Sequence, residues 1–180
     1  INTFIKPRAP IPIEVFTHLV RECKNKRNLE MGRKVQTLIQ ESNVQHHAKL
    51  SSQLIDMFSS CGSIQEATQV FESFSKPHVY AWNAIICAYM QNGLYEETMY
   101  LYVKMQGSNT YPTIEIFLSV LKACMNVLAL SEGRLIHSDA IKQGIDQHLF
   151  IGSALINMYS KCGSLVDSFI VFDTLPVRDS

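Results

Sequence analysis

The sequence lacks any apolar run approaching the roughly 18–20 residues that a membrane-spanning helix needs. It also lacks an excess of either charge, since 16 basic residues balance 16 acidic ones and the formal net charge is zero. That excludes a whole-chain electrostatic pull toward polyanions or acidic membranes. Charged residues make up only 18% of the chain against 47% hydrophobic. A disordered tract is thereby excluded, because chains of this composition bury enough apolar surface to offset the entropy of ordering. Cysteine is sparse and odd in number: Cys23, Cys61, Cys87, Cys124 and Cys162. No C-x-x-C pair or histidine-rich spacing accompanies them, so the expectation is small buried thiols in a reducing compartment, with no zinc and no other metal. Three signatures of chemistry are missing as well: G-x-x-x-x-G-K-[ST], H-E-x-x-H, and H-x-E followed by P-C-x-x-C. The segment is therefore read as non-catalytic, with no cofactor and no small-molecule substrate.

What is present is a repeat. Residues 155–172, LINMYSKCGSLVDSFIVF, restate residues 54–71, LIDMFSSCGSIQEATQVF, without a gap and 101 positions later. The correspondence extends upstream, where Phe117, Cys124, Leu130, Gly133 and Arg134 answer Phe16, Cys23, Leu29, Gly32 and Arg33. A fixed period of this kind marks a repeat architecture and takes precedence over other readings.

Within the repeat, apolar residues recur at helical spacing and strand-like alternation is absent. Val15, Phe16, Leu19, Val20 and Cys23 form one stripe, and Ile64, Ala67, Val70, Phe71 and Phe74 form another. Glycine and proline punctuate the stripes. Gly62, Gly93 and Gly163 sit where a helix ends in a left-handed residue, Ser63 and Ser164 follow two of them as candidate caps, and Pro77, Pro112 and Pro176 close units. The first residues, 1–12, hold three prolines and are read as an irregular segment; starting at Ile1 rather than Met, the chain is read as an internal piece with no visible targeting peptide. The predicted architecture is all-α, an α-solenoid of about five helix-turn-helix repeats covering 13–47, 48–78, 79–113, 114–148 and 149–179.

Those units alternate between 35 and 31 residues. Tetratricopeptide repeats have a similar period, but their Trp-Leu-Gly-Tyr signature is missing. The alternation instead resembles plant pentatricopeptide repeat proteins of the PLS class. NMYSKCGSLVDSFIVFDTLPVRD and DMFSSCGSIQEATQVF are similar to the short motif of that class, AWNAIICAYMQNGLYEETMYLYVKM to the standard motif, and FLSVLKACMNVLALSEGRLIHSDAIKQG to the long motif. The resemblance implies a right-handed superhelix that binds single-stranded RNA in a mitochondrion or chloroplast, with one repeat addressing one base. For the PLS class it further implies C-to-U editing, editing accessory proteins as partners, and often a C-terminal deaminase-like domain, which these residues do not contain.

By the family pattern, the fifth and last residues of a motif choose the base. The resemblance pairs Asn83 with Thr113, which suggests a pyrimidine, and Ser153 with Asp179, which suggests guanine. Ser52 pairs with His78 and leaves its base open. The long motifs offer Thr17 with His47 and Leu118 with His148, and a leucine has nothing with which to hydrogen-bond a base. Tyr80 and Phe150, second in their motifs, fall where a side chain flanks the base and stacks, and Lys49 where it meets phosphate. Other roles fit the same residues: Asn83 and Ser153 as caps of helix starts, Tyr80 and Phe150 as packing between repeats, and His47, His78 and His148 as solvated loop residues. The competing function is a helical-repeat scaffold for protein partners, which the neutral charge also suits.

Overall fold

The computed structural model describes residues 11–175, so most of the irregular segment expected at 1–12, and Asp179, lie outside the described residues. Among the described residues there are ten α-helices and no strand. They divide into two compact units, Ile1–Ser75 and Lys76–Ser180. The all-α helical repeat read from the sequence is what each unit shows.

The first unit holds two hairpins, α1 (Ile13–Asn25) with α2 (Leu29–Glu41) and α3 (Ala48–Ser60) with α4 (Ile64–Glu72). Helix α1 starts directly after Pro12, whose fixed φ suits the turn before a helix. It buries Phe16, Val20 and Cys23, spaced so that all three lie on one face. Helix α3 packs against α1, α2 and α4 and so buries a much wider arc, including Leu50, Leu54, Ile55, Met57 and Phe58. Each such side chain contributes about 1.5–3 kcal/mol by leaving water.

The second unit holds three hairpins: α5 (Val79–Gln91) with α6 (Tyr95–Gln106), α7 (Ile114–Val127) with α8 (Leu130–Lys142), and α9 (Leu149–Lys161) with α10 (Leu165–Thr174). Helix α7 is its centre. It meets α5, α6, α8 and α9, and its buried residues Ile116, Phe117, Val120, Leu121, Ala123 and Cys124 occupy most of its circumference. In both units the first helix of a hairpin is the more enclosed one, because it has neighbours on both sides.

The hairpin turns follow from glycine. Cys61, Asn92 and Cys162 end their helices, and Gly62, Gly93 and Gly163 follow with φ of +82°, +77° and +80°. At the first turn the Gly62 amide donates to the Ser59 carbonyl at 3.0 Å and the Ser63 amide to Phe58 at 2.9 Å. That double bond satisfies carbonyls the helix leaves open, and it requires the left-handed residue. The other two turns repeat it through Gly93 and Leu94 and through Gly163 and Ser164.

A second glycine class works by absence of a side chain. A Cβ built on Gly32 would lie 2.7 Å from Met57 Sδ, and one on Gly133 would overlap Met158 Sδ. The pair therefore sets how closely α2 approaches α3 and α8 approaches α9. The serine caps behave differently from the expectation. Neither Ser63 nor Ser164 accepts a backbone N–H with its side chain. The Ser164 hydroxyl instead donates to Asp167 Oδ2 at 2.7 Å, because a carboxylate three residues on is the stronger acceptor.

Candidate nucleic-acid interface

The candidate residues stand at the starts of first helices. α5 begins at Val79 and places Tyr80 in its first turn and Asn83 one turn on. Asn83 is half-buried, and its Oδ1 accepts from the Cys87 thiol at 3.7 Å. It lies inside the helix and is not the residue that caps it. That excludes the capping role, since α5 is capped by His78, whose Nδ1 accepts the Ala81 amide at 3.1 Å. The solvated-loop reading of His78 is thereby corrected. The ring is half-buried, and burial pushes its pKa below the ordinary histidine value, which keeps Nδ1 free to accept.

Thr113 is the N-cap of α7 and accepts the Ile116 amide at 3.4 Å. It also hydrogen-bonds the neighbouring Glu115, holding that carboxyl below the usual range. Helices α5 and α7 pack side by side, so Asn83 and Thr113 sit on adjacent helices of one unit. In the first unit, the Ser52 hydroxyl donates to the Lys49 carbonyl at 2.9 Å, and the Thr17 hydroxyl donates to Glu14 in the same way. Ser153 is exposed on α9. His47 and Lys49 are exposed, and Leu118 is half-buried.

The two aromatics are open. Tyr80 is 64% exposed and Phe150 63%, so packing between repeats is not their role. Each has a histidine ring two residues before it: His78 lies 6.0 Å from Tyr80, and His148 lies 5.6 Å from Phe150, centroid to centroid. At α5 and α9 the structure thus brings together an exposed aromatic, a histidine and a short polar residue at the fifth helical position. Such a set offers a π-face beside a hydrogen-bonding group, and one with no fixed charge. His148 was missed as a member of its pair. The signal was the shared His-x-aromatic spacing at 78–80 and 148–150.

Residues 80–110, which take in most of α5 and all of α6, match the family model of the PPR repeat. Similarity to named proteins extends much further. A chloroplastic pentatricopeptide repeat-containing protein of Arabidopsis thaliana is 34% identical over 168 residues, covering 92% of this chain and 32% of the relative. A mitochondrial one from the same plant is 34% identical over 161 residues, covering 89% of this chain and 16% of the relative. A second chloroplastic one is 32% identical over 161 residues, covering 89% and 26%. The chain resembles pentatricopeptide repeat proteins along most of its length. It spans about a third or less of the length of these relatives. Among the described residues no group of three or more His, Cys, Asp or Glu side chains is placed to hold a metal ion.

Proposed function

We propose that this chain is a PLS-class repeat tract that binds single-stranded RNA in a mitochondrion or chloroplast and selects a transcript site for C-to-U editing. Pentatricopeptide repeats are an established class of one-repeat-one-base readers, in which two or three side chains address each base. The observation that carries the reading to this chain is the set at the start of α5. There Tyr80 is 64% exposed, and Asn83 stands one turn further along the helix, inside the stretch that matches the PPR repeat. Asn83 with Thr113 selects a pyrimidine, and Tyr80 flanks it. Ser153 with Asp179 selects guanine, flanked by Phe150. Ser52 with His78 selects a base whose identity stays open. The repeats run 13–47, 48–78, 79–113, 114–148 and 149–179, in the order long, short, standard, long, short. The tract itself carries no catalytic residue, and the editing chemistry belongs to a deaminase-like domain or to accessory proteins.

A neutral chain gives this reading a sharp form. With 16 basic and 16 acidic residues there is little general attraction for phosphate, so affinity must come from stacking and base contacts. Binding of fluorescent single-stranded RNA at low salt tests it. The expected result is a preference of at least about tenfold over duplex RNA, with loss of affinity in Tyr80→Ala and Phe150→Ala, since stacking contributes about 1–3 kcal/mol per base.

The scaffold reading has one observation in its favour. Tyr100, Leu135 and Ile170 each stand sixth in α6, α8 and α10 and are 66%, 67% and 56% exposed. Binding of an editing accessory protein with no RNA binding at low salt would establish that reading instead.

A further inference from the structure

Asparagine differs from the serine, threonine and leucine found at the fifth position of the other first helices. A hydroxyl rotates to donate or accept as needed, whereas a primary amide has a donor end and an acceptor end. Which end Asn83 presents therefore decides what it can recognise, and some neighbour has to settle the matter.

The neighbours form a chain from one hairpin to the next. Cys87, one turn after Asn83 on α5, has its sulfur 3.7 Å from Asn83 Oδ1. The same sulfur is 3.3 Å from the Ser119 hydroxyl on α7. Ser119 is buried, and its Oγ–H donates to the Glu115 carbonyl at 2.9 Å. A serine has one hydrogen, so with that hydrogen on Glu115 its oxygen faces Cys87 as an acceptor. The thiol hydrogen is then held between two oxygens, Ser119 Oγ and Asn83 Oδ1. Both favour the sulfur as the donor, and a donor at that place holds the acceptor end of the amide.

We propose that Cys87 and Ser119 are positioning residues that keep Asn83 Oδ1 turned to the thiol, so that the Nδ2 hydrogens are presented to an acceptor atom of the bound base. The inference rests on the base-selecting role proposed for Asn83. It gives the fourth hairpin a part in reading that its own Leu118 denies it, because Ser119 acts on the base of the hairpin before. Asn83 paired this way takes a base with a ring acceptor or carbonyl at its hydrogen-bonding edge, as pyrimidines have.

The test uses the whole chain in four variants: Asn83→Ala, Cys87→Ala, Cys87→Ser and Ser119→Ala. The first measurement needs no RNA. The order parameter of the Asn83 side-chain amide, from nitrogen relaxation, falls in Cys87→Ala and Ser119→Ala and is retained in Cys87→Ser, where a hydroxyl replaces the thiol donor. The second is the ratio of affinities for RNAs carrying a pyrimidine or a purine opposite the third hairpin. Cys87→Ala lowers that ratio about two- to tenfold, the range of one net hydrogen bond, and Cys87→Ser restores it. If Asn83→Ala removes the preference while Cys87→Ala and Ser119→Ala change neither measurement, the positioning is wrong and the reading of Asn83 survives. If Asn83→Ala leaves the preference intact, the reading fails. The order parameter then decides alone whether Cys87 and Ser119 hold the amide, and an amide equally ordered in all three remaining variants overturns the inference.

Discussion

Arg134 on α8 reaches Asp167 on α10, with Nη2 at 2.7 Å and Nε at 3.1 Å from the same oxygen, Oδ2. In the first unit Arg33 meets Glu66 in the equivalent place, but there Nε takes Oε1 at 2.7 Å and Nη2 takes Oε2 at 3.2 Å. The difference is one methylene. Glutamate reaches far enough to face the guanidinium with both oxygens, whereas aspartate offers one and keeps the Ser164 hydroxyl on it too. These ties join the second helices of successive hairpins, each along a surface where the arginines remain more than half exposed.

The first prediction concerns acid. The Ser164 hydroxyl and Arg134 hold the Asp167 carboxyl below its ordinary 3.8, and Arg33 holds Glu66 below 4.5. A carboxylate whose folded pKa is depressed stabilises the fold fully above its unfolded pKa and loses that effect as pH falls through the folded value. Urea midpoints should thus be flat from about pH 7 to 5 as far as these groups are concerned, then fall below about pH 4. Asp167→Asn should lower the neutral midpoint and flatten part of the acid limb. An unchanged acid limb in Asp167→Asn with Glu66→Gln would refute the linkage.

The second prediction concerns the enclosed first helices. Leu155 is fully buried in α9, so Leu155→Ala should cost about 2–5 kcal/mol. Leu155→Asp should do more, because an unpaired carboxylate has no partner there. Repeat hairpins contact only their neighbours, so amide exchange should rise first in α7, α9 and α10, which share that interface. Uniform loss of protection throughout the second unit would contradict a repeat-wise fold.

Glycine supplies a third prediction. Gly133→Ala drives a methyl into Met158 and should destabilise by about 1–3 kcal/mol. Gly163→Ala has open space around its Cβ but sits at φ +80°, and should cost about 1–2 kcal/mol through the backbone alone. Shortening the clashing side chain separates the two. Met158→Leu should soften the effect of Gly133→Ala and leave that of Gly163→Ala unchanged in thermal melts.

His78 gives the fourth. Its Nδ1 caps α5 only while the ring is neutral, and burial depresses its pKa. The contribution is complete above the unfolded pKa of about 6.5 and is lost as pH falls through the lower folded value. His78→Ala should cost about 1 kcal/mol at pH 8, the usual size of a lost N-cap. The penalty should shrink toward pH 5. A penalty that grows on acidification would mean the charged ring is the stabilising form.

How much of this was legible in the sequence depends on how locally each feature is encoded. The hairpins were legible because Gly62, Gly93 and Gly163 mark left-handed turns and because the Leu-Ile-x-Met stretch recurs 101 residues on. Tyr80, Asn83, Ser153 and Phe150 were found by motif position, which needs only a helix start as origin. The cap formed by His78 was missed because an imidazole reaches the Ala81 amide only in a particular rotamer, which no spacing rule reveals. The Cys87–Ser119 contact and the arginine ties were missed for another reason. They join residues 32 and 33 positions apart, and that separation becomes contact only once two hairpins stack. In the sequence Cys87 reads as one more small core residue.

The central claim is that hairpins of this chain read bases, and selection from a randomised single-stranded RNA pool tests it most directly. With one base per hairpin, the third and fifth should enrich a pyrimidine and a guanine separated by one nucleotide. Asn83→Ala should erase the pyrimidine and leave the guanine, and Asp179→Asn should weaken the guanine and leave the pyrimidine. Enrichment without any positional preference, or a preference that neither substitution alters, would contradict the account.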